Sequence, residues 1–120
     1  MNITVAGKDK NIAVVSSEDI LITDAQSALD LMVTVKYEAG CSRIVLDQSL
    51  IDPDFFRLST GLAGEILQKY TNYHIRLAIV GDFSVYTSKP LRDFMFESNK
   101  GRNVLFVSTL EQAIERLGDQ

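Results

Sequence analysis

The chain has 120 residues, 46% hydrophobic and 23% charged, with 7 Gly, 2 Pro and no Trp, which is an ordinary globular composition at the length of one domain. Its 12 Lys and Arg against 16 Asp and Glu give a formal charge of −4, which argues against a nucleic-acid or anionic-membrane binder, since both need a basic face to displace counterions. The single Cys41 excludes an internal disulfide. With no basic segment leading into an apolar one at the start and no apolar run approaching ~18 residues, a cytoplasmic protein that does not span a membrane is expected.

Two short strands open the chain, Ile3 to Ala6 and Ile12 to Val15, joined by Gly7-Lys8-Asp9-Lys10-Asn11, whose residues suit a hairpin loop with a positive φ. Thr23-Asp24 stands where an N-cap belongs, ahead of a helix with Ala25, Ala28, Leu29, Met32 and Val33 on one face and Gly40 as its stop. Arg43 to Leu46 reads as a strand buried on both faces, which implies a parallel sheet covered by helices. The stretch from Asp47 to Arg57 is irregular, and its Phe55-Phe56 pair requires cover.

From Ser59 to Tyr70 the apolar residues Leu62, Ala63, Ile66, Leu67 and Tyr70 fall at helical spacing, with Ser59 or Thr60 as cap. Ile75 to Val80 is the next strand, and Lys89-Pro90-Leu91 starts a third helix with Leu91, Phe94 and Met95 inward, stopped by Asn99-Lys100-Gly101. Val104 to Val107 is the last strand. Ser108-Thr109-Leu110-Glu111 reads as a capping box for a final helix whose inward face is Leu110, Ala113, Ile114 and Leu117.

The order ββαβαβαβα, with no internal repeat or linker, defines one α/β domain over residues 1–120: a mixed sheet of five strands, an antiparallel pair first and parallel strands after it, with four helices. The expected core includes Val14, Leu29, Val45, Leu62 and Ile66, and further along Ile79, Phe94, Leu105 and Ile114.

The sequence contains no dinucleotide or P-loop glycine pattern, no zincin motif, no nucleophile elbow and no CxxC, so the common cofactor and hydrolase readings lose their support and no cofactor or metal is expected. The lone His74 reads as a junction residue, because no Ser or Cys is visibly paired with it, and Cys41 as a structural thiol. Asp47 and Asp82 each follow a strand, so both carboxylates belong at the carboxyl edge where α/β sheets build sites. Paired there they could bind Mg²⁺; otherwise each caps its own turn. Ser59-Thr60-Gly61 at a helix start places a modifiable hydroxyl beside free amide donors, and a phosphate there would sit well on the helix dipole. The plain alternative is a Ser/Thr cap, with Gly61 and Gly64 allowing close packing on the sheet.

On Ser59-Thr60-Gly61-Leu62, the following Ile66-Leu67, Leu91-Arg92-Asp93-Phe94 and the closing strand and helix, the chain resembles the STAS domain, the fold of bacterial anti-sigma factor antagonists. In that family a motif of the form Asp-Ser-Ser/Thr-Gly opens the second helix, and the hydroxyl residue before the Gly is phosphorylated by a partner kinase. The resemblance implies that role for Thr60, with Leu58 standing where the motif has Asp. The phrases from Thr60 to Lys69, Leu77 to Ser84, and Leu91-Arg92-Asp93-Phe94 with Glu97 to Gly101 are similar to the bacterial domain of unknown function family numbered 4180, which implies no activity.

Two functions follow as expectations. One is a regulatory or protein-interaction domain that presents Ser59, Thr60 and Gly61 to a protein partner. The other is a small-molecule binding protein or enzyme with a pocket built from Asp47, Asp82, Ser84, Tyr86, Lys89 and Arg92. Self-association into a homo-oligomer is a third expectation, from the many apolar residues in a small chain.

Overall fold

A computed structural model describes residues 1–118. Among them are five strands, β1 (Asn2–Ala6), β2 (Ile12–Ser16), β3 (Arg43–Asp47), β4 (Arg76–Val80) and β5 (Val104–Val107), and four α-helices, α1 (Ala25–Ala39), α2 (Leu62–Asn72), α3 (Lys89–Lys100) and α4 (Leu110–Gly118). The strands lie in the order β1-β2-β3-β4-β5, with β1 antiparallel to β2 and every later pair parallel. The mixed sheet, an antiparallel pair first and parallel strands after it, is as the sequence predicts.

Strand order that never reverses has a consequence for the layers. Crossovers of one hand that all step the same way deposit their helices on one face. Accordingly Ala28 and Val35 of α1, Ile66 and Tyr70 of α2, and Leu91 of α3 pack with Ile44, Leu46, Leu77 and Ile79 of the sheet. The other face is covered by α4 alone, whose Ala113 and Leu117 meet Ile12, Val45, Ala78 and Leu105. The sheet also lacks the switch point at which doubly wound folds open a crevice, so sites at its carboxyl edge must be built by loops.

Local signals set most boundaries. Asp24 caps α1, its side chain accepting the Ser27 amide while the Ser27 hydroxyl accepts the Asp24 amide, and Gly40 ends the helix at φ 67°. The buried positions of α1 are Ala28, Leu31, Met32 and Val35, a stripe whose phase carries Leu29 to the flank and leaves Val33 exposed, contrary to expectation. The cap of α4 is shifted by one residue: Thr109 accepts the Gln112 amide, and the Gln112 side chain accepts the Ser108 amide. Leu110 is consequently exposed rather than inward.

Of the expected core, Val45, Ile66, Ile79 and Leu105 are buried, whereas Val14, Leu29, Leu62, Phe94 and Ile114 lie half-buried at its margin. Ile66→Ala is therefore expected to destabilise by about 2–5 kcal/mol, and Leu62→Ala by clearly less, which a pair of urea melts would compare directly.

The edges of the sheet are treated differently. At the β5 edge the Asn99 carboxamide donates to the Phe106 carbonyl at 3.0 Å and accepts the Phe106 amide at 2.7 Å, standing in for a neighbouring strand. The β1 edge has no such cover among the described residues.

Candidate functional site at the carboxyl edge

The loops after β3, β4 and β5 form the edge where the sequence places its polar candidates. Three times an aspartate there accepts the amide two residues on and opens a 3₁₀ turn: Asp47 from Ser49 at 2.9 Å, Asp52 from Asp54 at 2.8 Å and Asp82 from Ser84 at 3.1 Å. Asp82 also accepts the Ser84 hydroxyl at 2.6 Å, and these bonds hold its carboxyl below the usual carboxylate range. Asp47 and Asp82 thus each serve their own turn. Among the described residues, no three His, Cys, Asp or Glu side chains gather as a metal would require.

The long connection from β3 to α2 is held by three successive 3₁₀ turns, Gln48–Leu50, Pro53–Phe56 and Leu58–Thr60. Backbone bonds stitch it to the step before α1, with Leu21 and Ile22 donating to Leu50 and Asp52 donating to Ile22. Phe55 and Phe56 anchor it from below, both buried. Its end carries Ser59, Thr60 and Gly61, all exposed. Here the N-cap of α2 is Gly61, at φ 77°, rather than Ser59 or Thr60. The Thr60 hydroxyl lies within donating distance of the Asp54 and Arg57 carbonyls at 2.8 and 2.9 Å and accepts the Leu62 amide at 3.2 Å. The expected close packing of Gly61 and Gly64 on the sheet does not occur, since a Cβ at either would meet open space. The positive φ is what requires glycine at 61.

Ser84, Tyr86 and Arg92 are brought together around a cavity of about 360 Å³ that Phe83 and Asn99 also line. Asp82 and Ser84 border a larger one, about 650 Å³, which Ser108, Gln112 and Arg116 also line. Asp47 lines neither, and Lys89 instead pairs with Asp93 at 2.7 Å on the outside of α3. Tyr86 stacks on Phe56 with ring centroids 5.0 Å apart, and partial desolvation pushes its phenol up. Its hydroxyl lies 3.3 Å from the Gln48 amide nitrogen. The other end of that amide, Oε1, is enclosed without a hydrogen-bond partner and lies where a Cβ on Gly81 would stand. Gly81 is therefore glycine for space.

Sequence reading did not single out Gln48, Phe83, Asn99 or Phe106 for this edge. Phe106 is the hub, with Phe83 at 5.5 Å, Phe94 at 6.1 Å and Phe55 at 6.4 Å. His74 is exposed at the turn from α2 into β4 with φ 58°, and Cys41 is buried, its thiol pushed up by desolvation. Neither takes part in the edge.

Fold and edge together define a singly wound α/β domain whose polar candidates lie at the carboxyl end of β3, in the loops beyond the strands and at the start of α3. The chain belongs to the family described as Domain of unknown function (DUF4180), which matches residues 7–117. No curated protein and no solved structure matches it.

Proposed function

We propose that the chain is a cytoplasmic, bacterial, non-enzymatic regulatory domain, STAS-like in its opening strand pair and its alternation of helices and strands, that offers the start of α2 to a protein partner. The observation that carries this reading is the exposed Ser59-Thr60-Gly61 tip on a connection whose base is buried: Phe55 and Phe56 fix the position of a surface that nothing among the described residues covers. A partner meets there a held backbone, the exposed Gly64 in the first turn of α2, and the positive end of the helix dipole. Phosphate on Thr60 would break its bonds to the Asp54 and Arg57 carbonyls and add about two negative charges at that end of the helix.

Thr60→Glu is expected to lose a partner that Thr60→Ala retains, because only the former adds charge at the contact. Tagged proteins recovered from the native cell, with matched thermal melts as the control for folding, give the comparison. Identical partners for both variants and the parent protein would overturn the reading.

The 650 Å³ cavity beside Asp82 and Ser84 favours a second function, binding of a small polar molecule at the carboxyl edge. A compound that raises the melting temperature of the parent protein but not of Ser84→Ala would favour it over partner binding.

A further inference from the structure

β1 is an edge strand with an unusual combination of features. Asn2-Ile3-Thr4-Val5-Ala6 carries no charge and no proline, the usual devices against edge pairing. Val5 is 43% exposed and Ile3 half-buried, both on the α1 side of the sheet. The other edge of the sheet, by contrast, is blocked at Phe106 by Asn99.

The two ends of β1 are complementary in charge. Its hairpin tip carries Lys8 and Lys10 with Asp9 between them, for a net charge of +1. At its other end Glu18 and Asp19, with Met1, Asn2, Ser16 and Ser17, line a recess of about 420 Å³. A two-fold axis at Thr4, perpendicular to the sheet, brings the basic tip of each copy to the acidic recess of the other. The same operation sets Ile3 opposite Val5 of the second copy, twice, on one face, and Thr4 opposite Thr4. Apolar β-branched pairs and Thr–Thr pairs are both favourable across antiparallel strands, and a self-complementary patch is what a two-fold dimer requires.

We propose that two copies of this chain pair antiparallel through β1, joining two five-stranded sheets into one of ten strands. The occupant of the β1 edge is a second copy because both its apolar register and its charge pattern match themselves. This interface is separate from the α2 surface and stands or falls independently of it.

Sedimentation equilibrium of the full chain should give twice 13.4 kDa. Val5→Lys should give the monomer mass with an unchanged far-UV spectrum, while Phe96→Lys, the same change at an exposed residue of α3, should remain dimeric. Thr4→Cys tests the register without weakening the strand. Opposed residues have Cα atoms about 4.5–5.5 Å apart, within the span of a disulfide, so mild oxidation should link the introduced thiol to its symmetry mate, whereas Asn2→Cys, displaced about 13 Å from its mate in this register, should not link.

The charges permit a swap: Lys8→Glu with Lys10→Glu, and separately Glu18→Lys with Asp19→Lys, should each weaken the dimer, and mixing the two proteins should restore it as a heterodimer. A monomeric parent protein overturns the proposal. So does a dimer that survives Val5→Lys, or one in which Thr4→Cys fails to link.

Discussion

Phe55→Ala should be among the most damaging single substitutions, costing about 3–5 kcal/mol. Phe55 is fully buried, 5.0 Å from the Phe56 ring and 6.4 Å from that of Phe106, so its removal opens a void where the β3–α2 connection meets the sheet. The damage should also be felt at the surface. The Asp54 carbonyl, a hydrogen-bond acceptor for Thr60, belongs to the adjacent residue, so the 57–61 tip should become a site of rapid proteolysis in the variant. Phe55→Leu, which keeps most of the volume, should lose much less stability and leave the tip protected. A urea melt with unchanged m-value, together with limited proteolysis, checks both parts; a variant as stable as the parent would show that the pair does not anchor the connection.

Tyr70 should dominate the response to alkali. It is fully buried on α2 and donates its hydroxyl to the Ala28 carbonyl of α1 at 2.9 Å, tying the two helices together over the sheet. Burial pushes its phenol well above the ordinary value of 10.0. The folded chain therefore keeps a proton that the unfolded chain releases, and the sign follows: the stabilisation is fully present below pH 10.0 and is lost as pH rises beyond it, by up to about 1.4 kcal/mol per pH unit. Tyr70→Phe should cost about 1 kcal/mol at neutral pH and flatten most of that alkaline decline, the remainder belonging to the Cys41 thiol and the Tyr86 phenol, both raised in the same direction by burial. Tyr70→Ala should cost about 3–5 kcal/mol. Stability measured from neutral pH upward distinguishes them; a Tyr70→Phe curve parallel to that of the parent protein would contradict this account.

These two aromatic residues differ in how they could be found. Tyr70 falls on a helical stripe with Ala63 and Ile66, and periodicity alone places it inward. Phe55 lies in a stretch without period, where sequence requires cover for the pair but cannot supply the covering group. That cover comes from Phe106, some fifty positions later, and from Phe83 and Tyr86 between them. Their rings meet because β3, β4 and β5 are adjacent and parallel, a fact of topology that no local window contains.

The strands, the helices and their order are determined by the sequence itself, because short-range physics acts there: Asp24 caps, Gly40 stops, Pro90 stands in the first turn of α3, and the apolar runs read as strands. Even the parallel pairing follows from Val45 and Leu105 being apolar on strands whose neighbours in sequence are apolar too. Only the tertiary structure decides the rest. It assigns Asp47 and Asp82 to separate turns because each finds an amide two residues on before it can reach the other. It exposes Gly64 and Val33 because the helix phase is set by the largest buried side chains on each stripe. It makes Asn99 the guard of β5 and leaves β1 without one among the described residues, since the order of strands, and hence which of them is an edge, is a property of the whole sheet.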